Sequence, residues 1–128
     1  MKLLLDTHIW LWLVGDPDRL GRRTMQELKS VDNELWLSPI STWEILTLHQ
    51  KGRIKLHGDI TEWVANAVSA TKLAPLTHEV ALAGRQFLFD LDPADRFLSA
   101  TALVFDLTLV TADERLLSLA NIKTLANR

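Results

Sequence analysis

Short apolar runs alternate with helix-like segments along most of this 128-residue chain. The apolar runs predict strands over residues 2–5, 34–37, 73–76, 107–110 and 122–125. The segments between them predict helices over residues 7–14, 19–31, 41–51, 59–71, 77–89, 92–105 and 111–120. Strands separated by helices in this order predict an α/β fold, a three-layer α/β/α sandwich with a mainly parallel central sheet. The length predicts a single domain over residues 1–128.

The composition narrows the chemistry that such a fold can carry. The chain has no cysteine, which excludes disulfides, Cys-ligated zinc, iron–sulfur clusters and thiol nucleophiles. Its 14 Lys and Arg against 16 Asp and Glu give a formal net charge of −2, which disfavours a generic polybasic clamp for nucleic acid. No apolar run has the length of a secretory signal or a membrane span, so we expect a cytoplasmic protein without a membrane partner.

Four acidic residues fall where predicted strands end or the following helices begin. Asp6 directly follows the first strand, and Asp113 comes three residues after the fourth. Glu44 lies one helical turn after the loop that follows the second strand, and Asp95 lies in the first turn of the sixth helix. Because ligands of an open parallel sheet bind outside the carboxyl ends of its strands, we expect these four carboxylates at one edge.

Four carboxylates at one edge would repel each other and raise each other's pKa values. A divalent cation would relieve that repulsion, and oxygen ligands suit Mg²⁺ or Mn²⁺. With such a metal, the cluster could activate water and stabilise an in-line attack on phosphorus.

Each acid also has a purely local explanation. Asp6 could cap the helix that follows it, and Glu44, three residues after Ser41, could complete a capping box. Asp95 and Asp113 lie in first turns, where carboxylates favour the helix dipole. The prediction of a site therefore depends on all four acids lying at one edge.

Four segments of the chain resemble the PIN-domain family, and within it they are most similar to VapC-type toxins of bacterial and archaeal toxin–antitoxin pairs. The segments are residues 3–8 (LLLDTH), 41–45 (STWEI), 92–96 (DPADR) and 109–113 (LVTAD). The resemblance covers essentially the whole chain in length and motif order. Its most specific part is DPADR together with the FLSATA that follows it.

The resemblance implies a three-layer α/β/α fold and a Mg²⁺- or Mn²⁺-dependent endoribonuclease that acts on RNA as the toxin of a type II pair. The four acids correspond to the family's acidic positions, with Asp6 and Asp95 as direct metal ligands. Glu44 and Asp113 would complete the site directly or through water. The resemblance also implies a VapB-like antitoxin lying across an apolar groove, and a homodimer.

Other residues could support the carboxylates or the RNA. Thr7, Ser41 and Thr111 are expected to position carboxylates or water by hydrogen bonds. Arg96, beside Asp95, is expected either to contact phosphate or to pair with Asp92.

Two basic clusters could bind the RNA backbone. Lys51, Arg53 and Lys55 follow the helix that carries Glu44 and are the better candidates. A second cluster, at residues 19–23, is more simply explained as a solvated surface.

The tryptophans are expected mainly to pack in the hydrophobic core. Trp36 and Trp43 are expected in or near the core, and Trp63 could either fill the core or serve a partner surface. Trp10 and Trp12 cannot share one helix face, so one of them is expected to be more exposed. The four histidines are widely spread along the chain and are predicted to be structural or surface residues.

Two other classes of function compete with the nuclease. A non-catalytic PIN-like module would bind RNA or protein, but the intact acidic quartet favours an enzyme. An α/β phosphohydrolase or receiver-type domain would need a further acid pair or a phosphate-binding Lys near the strand ends. The sequence offers neither convincingly.

Overall fold

The computed structural model describes residues 1–128, with five strands and seven α-helices. The strands are β1 (Lys2–Leu5), β2 (Glu34–Leu37), β3 (Lys72–Leu73), β4 (Thr108–Thr111) and β5 (Lys123–Ala126). The helices are α1 (Thr7–Gly15), α2 (Arg22–Lys29), α3 (Pro39–Gln50), α4 (Ile60–Val68), α5 (His78–Ala83), α6 (Pro93–Val104) and α7 (Glu114–Leu117). None of these helices combines the length and apolar character that a membrane span requires.

All five strands are parallel and follow the order β3-β2-β1-β4-β5. The predicted α/β fold is confirmed, and the sheet is wholly rather than mainly parallel. From the central strand β1 the chain builds one side of the sheet through β2 and β3, and then the other side through β4 and β5. The strand order therefore reverses between β1 and β4. Sheets of this kind bind ligands in the crevice at the carboxyl ends of the strands that flank such a reversal.

Helices cover both faces of the sheet because alternate residues of β1 point in opposite directions. Leu4 packs into a core with residues of α5, α6 and α7, including Leu98. Leu3 and Leu5 pack into a second core with residues of α1, α2 and α3, including Trp10. All three leucines are fully buried, so β1 is the shared centre of both cores.

Helix starts differ from the predictions where local caps decide them. The third helix begins at Pro39 rather than residue 41, because the Ser38 hydroxyl accepts a hydrogen bond from the Ile40 N–H at 3.1 Å. Proline also suits the first helical position, since it lacks only an N–H that would have no partner there. The second helix begins at Arg22, because Pro17–Arg19 forms a separate 3₁₀ turn.

Other predicted elements are too long or displaced. The helix expected to reach residue 89 ends at Ala83 and is followed by the 3₁₀ turn Gly84–Gln86. The helices expected over residues 59–71 and 111–120 are confined to α4 and α7. β3 covers two residues rather than 73–76, and Pro75 has no N–H with which to extend a ladder.

Candidate active site

A cavity of about 430 Å³ opens at the carboxyl edge of the sheet. The four predicted acids lie in its wall together with Asp92, His8, Trp12 and Ala112. The structure therefore brings all four predicted carboxylates to one place, and it adds a fifth.

Asp6 continues β1 by one residue, since its N–H still donates to the Val110 carbonyl at 3.0 Å. Its side chain is only 8% exposed. One carboxylate oxygen accepts the Thr7 N–H at 2.7 Å, and the other accepts the Thr111 hydroxyl at 2.7 Å. Burial raises the pKa of Asp6, and these two hydrogen bonds oppose the rise. Asp6 thus caps α1 and faces the cavity at the same time.

Glu44 enters the cavity from α3. Because Ser38 caps that helix, the local explanation of Glu44 as part of a Ser41 capping box is wrong. Glu44 instead accepts a hydrogen bond from the Thr7 hydroxyl at 2.5 Å, and the buried Ser41 Oγ lies 3.0 Å from the same Thr7 oxygen. Burial raises the pKa of Glu44, and the bond from Thr7 lowers it. One threonine thus links Asp6, through its N–H, to Glu44, through its hydroxyl.

Asp95 lies in the first turn of α6, which Asp92 caps by accepting the Ala94 N–H at 2.9 Å. Burial, followed in order of size by the nearby charges of Asp6, Asp92 and Glu44, raises the pKa of Asp95 to about 7. No hydrogen bond offsets these effects. Asp95 is therefore the carboxylate that most needs a positive partner.

Asp113 approaches the cavity after β4 and is the N-cap of α7. Its carboxylate accepts the Arg115 N–H at 2.8 Å, and its own N–H donates to the Thr111 hydroxyl oxygen at 3.0 Å. Since the Thr111 hydroxyl donates to Asp6, it connects the ends of β1 and β4 at the point where the strand order reverses.

Of the two roles expected for Arg96, the pairing with Asp92 is wrong. Its guanidinium donates to the Gly84 carbonyl at 3.2 Å and lies 5.8 Å from the centre of the Phe89 ring. It forms no ion pair with Asp92 and does not line the acidic cavity. Arg96 belongs to the neighbouring surface of α5 and α6 instead.

The predicted RNA-binding cluster is only partly brought towards the cavity. Lys51, Arg53 and Lys55 are all exposed. Lys51 lines a groove that shares Glu44 and Asp92 with the acidic cavity. Arg53 and Lys55 line neither the groove nor the cavity.

Four cavity residues were not predicted as site residues: Asp92, His8, Trp12 and Ala112. The sequence suggested Asp92 only as a helix cap and a possible partner of Arg96, although its spacing of three from Asp95 places both acids on one face of the first turn. His8 and Trp12 are four residues apart on α1, with ring centres 6.0 Å apart. The spacing of Asp92 from Asp95 was the one such signal in the sequence.

Two tryptophan expectations have clear outcomes. Trp10 is fully buried and Trp12 is partly exposed, as their spacing predicted. The expectation that Trp43 packs in or near the core is wrong, because it is 59% exposed.

The donor set fits a hard divalent cation in its chemistry, because carboxylate oxygens dominate it. No three Asp, Glu or His side chains are already arranged to hold a metal ion. Mg²⁺ commonly keeps several waters and takes only one or two protein carboxylates. An open cavity with spaced acids therefore suits a hydrated ion better than a closed protein cage.

A family model described as PIN domain matches residues 3–122 of the chain. The chain belongs to the PIN domain family. This PIN domain is 33% identical over 118 residues to Ribonuclease VapC22 of Mycobacterium tuberculosis, which covers 91% of this chain and 90% of that protein.

Solved structures similar to this PIN domain include VapBC of Salmonella typhimurium bound to DNA and VapBC2 of Rickettsia felis bound to a promoter DNA fragment. The Salmonella match has a TM-score of 0.75 at 17% identity and covers 100% of this chain and 99% of that one. The Rickettsia match has a TM-score of 0.73 at 15% identity and covers 98% of each chain. At these identities the likeness concerns the fold.

Proposed function

We propose that this PIN domain is a metal-dependent endoribonuclease and the toxin of a type II toxin–antitoxin pair. The observation that carries the proposal is the convergence of Asp6, Glu44, Asp95 and Asp113 on one cavity, where the strand order reverses. The similarity to a protein named as a ribonuclease, over 91% of the chain, supports the same reaction class.

Asp6 and Asp95 are the proposed direct ligands of Mg²⁺ or Mn²⁺, and Glu44 and Asp113 would complete the site directly or through water. Such an ion would stabilise charge on the phosphate and lower the pKa of water. The raised pKa values of Asp6, Glu44 and Asp95 support this assignment, since burial and, to a smaller extent, repulsion between the carboxylates raise them, and a bound cation would offset both.

The protein's own groups have separate tasks in the proposed reaction. The Thr7 N–H and the Thr111 hydroxyl hold both oxygens of Asp6, and the Thr7 hydroxyl holds Glu44. Glu44 or Asp113 would orient the attacking water. Hydrolysis by water leaves a 5′-phosphate and a 3′-hydroxyl, and it needs no ribose 2′-hydroxyl as nucleophile.

The expected partners follow from the same assignment. RNA is the proposed substrate, with Lys51, Arg53 and Lys55 as candidates for contacts to its backbone. The VapBC complexes among the similar structures support a VapB-like antitoxin as the protein partner. We also expect a homodimer, acting in the cytoplasm where RNA and antitoxin are present.

The decisive experiment compares RNA cleavage by the wild type and Asp95→Asn in Mg²⁺, in Mn²⁺ and in EDTA. Asp18→Asn is the matched control, because Asp18 is an exposed acid outside the cavity. We expect metal-dependent cleavage with 5′-phosphate products for the wild type and the control, and none for Asp95→Asn. Wild-type protein that neither cleaves RNA nor gains thermal stability in Mn²⁺ would instead indicate a non-catalytic binding module.

A further inference from the structure

Trp43 is exposed to solvent beside the acidic cavity. It is 59% exposed, the largest exposure among the five tryptophans, and it belongs to neither hydrophobic core. A large aromatic side chain that contributes nothing to a core and remains in water is a candidate for ligand contact.

The indole lies in a groove of about 330 Å³ between α3 and the start of α6. Thr47, Lys51 and Pro93 line this groove with Trp43. Glu44 and Asp92 also line it, and both belong to the wall of the acidic cavity. The groove is therefore a continuation of the proposed active site.

The residues along α3 present an aromatic surface and then a cation. Trp43, Thr47 and Lys51 follow each other at intervals of four, so they share one face of the helix. Eight residues of α-helix span about 12 Å, so the Cα atoms of Trp43 and Lys51 lie about that far apart along the helix axis. This combination of an aromatic platform and a positive charge is how proteins bind single-stranded nucleic acid.

We propose that this groove is a nucleobase subsite for single-stranded RNA. The base of a nucleotide next to the cleaved bond stacks on Trp43, and a neighbouring phosphate contacts Lys51. The inference rests on the proposed ribonuclease function and adds to it a requirement for an unpaired base, because a base within a duplex cannot reach the indole.

The first test measures binding separately from cleavage. A fluorescein-labelled single-stranded RNA of mixed sequence is titrated with protein in Ca²⁺, and the integrity of the RNA is checked on a gel. We expect Trp43→Ala to weaken binding roughly 5- to 150-fold, the range for loss of one base–aromatic stack. Trp43→Phe should retain most of the affinity, because it keeps an aromatic face.

Phe89→Ala is the matched control, because Phe89 is 90% exposed and lies outside the groove. It should bind RNA as the wild type does. Because Trp43 belongs to neither core, the melting temperature of Trp43→Ala should stay close to that of the wild type.

The second test removes the base instead of the indole. Abasic residues are placed one at a time near the bond that the wild type cleaves. At one position the abasic RNA should lower the wild-type kcat/KM about as much as Trp43→Ala does, with no further loss when the two changes are combined. Fully additive losses at every position would contradict stacking on Trp43.

The outcomes separate this inference from the proposed function. Unchanged RNA binding by Trp43→Ala overturns the subsite, whether or not the wild type cleaves RNA. Trp43-dependent binding without any cleavage in Mg²⁺ or Mn²⁺ leaves the subsite standing and refutes the nuclease. If Trp43→Ala weakens only the complex with the cognate antitoxin, the groove is an antitoxin interface and the subsite is wrong.

Discussion

Asp6 and Asp95 face the same cavity, but the protein holds them in opposite ways. Asp6 is almost fully buried, and both of its oxygens accept hydrogen bonds of 2.7 Å. Asp95 is less buried and accepts none, and its pKa is raised to about 7. Hydrogen bonds thus stabilise the Asp6 carboxylate, whereas the Asp95 carboxylate is repelled by neighbouring charges that no hydrogen bond offsets.

The difference follows from the elements that carry the two acids. Asp6 follows the central strand, where the backbone of α1 and the end of β4 supply donors. Asp95 lies inside the first turn of α6, where the capping position already belongs to Asp92. Asp95 therefore contributes a charge that would favour the proposed cation at the expense of the metal-free fold, as functional sites often do.

The largest expected effect comes from removing either charge. Asp6→Asn and Asp95→Asn should each lower RNA cleavage by more than about 100-fold, because loss of a supporting partner of a metal ligand alone costs up to that much. Cleavage rates at saturating Mg²⁺, with Asp18→Asn as the control, measure this. Wild-type rates for either variant would exclude that carboxylate from the site.

The same two variants should differ in stability. Asp95→Asn relieves repulsion without breaking a hydrogen bond, so it should raise the melting temperature of the metal-free protein. Asp6→Asn relieves burial of a charge but replaces one acceptor oxygen with an NH2 group, so either the Thr7 N–H or the Thr111 hydroxyl loses its acceptor and the gain should be smaller. Thermal melts in EDTA at pH 8 test this, and an equal or larger gain for Asp6→Asn would refute the contrast.

Thr111→Val should produce the next largest effect. The change removes one of the two donors to Asp6 and leaves the Asp113 N–H without an acceptor, which should cost about 1–3 kcal/mol of folding free energy. Cleavage should fall about 10- to 100-fold, as expected for a residue that positions a metal ligand. Denaturant unfolding and kcat measure the two effects.

Thr101→Val is the matched control for Thr111→Val. Thr101 is also fully buried, and its hydroxyl donates to the Phe97 carbonyl at 2.7 Å, away from the cavity. Its loss should reduce stability while leaving kcat near the wild-type value. Equal losses of kcat in both variants would mean that Thr111 acts through stability alone.

The stability of the metal-free protein should depend on pH through Asp95, the carboxylate that accepts no hydrogen bond. Because the pKa of Asp95 is about 7 in the fold and near 3.8 when unperturbed, the folded protein binds the proton more tightly. Its contribution to stability is therefore complete below about pH 4 and is lost as the pH rises through 7. Melting temperatures in EDTA between pH 4 and 8 should fall less for Asp95→Asn than for the wild type.

The same proton should compete with the proposed metal ion for Asp95. Below about pH 7, Mn²⁺ affinity should fall by up to about tenfold per pH unit, because the ion must displace the proton from Asp95. Titration calorimetry at several pH values checks this. An affinity that does not change between pH 6 and 8 would mean that Asp95 does not titrate in the binding reaction.

The sequence predicted the fold well because its signals were local and repeated. Apolar strands between helices specified the parallel layers, and ligand binding at strand ends explained why four acids converge. Helix boundaries were less predictable, since Ser38 and Ser41 both offer a hydroxyl and only the folded backbone selects the cap.

The parts of the site that sequence could not predict depend on how surfaces meet. Arg96 adjoins Asp95 in the chain, yet its position on α6 directs it towards Gly84 and Phe89. Trp43 is a large apolar residue of the kind that usually packs in a core, and its exposure depends on which face of α3 the sheet covers. Adjacency and hydrophobicity alone do not determine either outcome.

Ser41→Ala should give the smallest effect. The Ser41 Oγ lies 3.0 Å from the Thr7 Oγ1, and Thr7 itself donates to Glu44. Losing this contact should cost about 0.5–1.5 kcal/mol, a shift in melting temperature of roughly 3–6 °C per kcal/mol for a domain of this size.

Cleavage by Ser41→Ala should fall by a few fold at most, because Thr7 keeps its bond to Glu44. Thr7→Val is the informative partner, since it removes the bond to Glu44 and the contact with Ser41 together. If Ser41 acts only through Thr7, the double variant should cleave RNA at the rate of Thr7→Val alone. A further loss of cleavage in the double variant would show that Ser41 affects the reaction independently of Thr7, and would assign it a direct role beside the carboxylates.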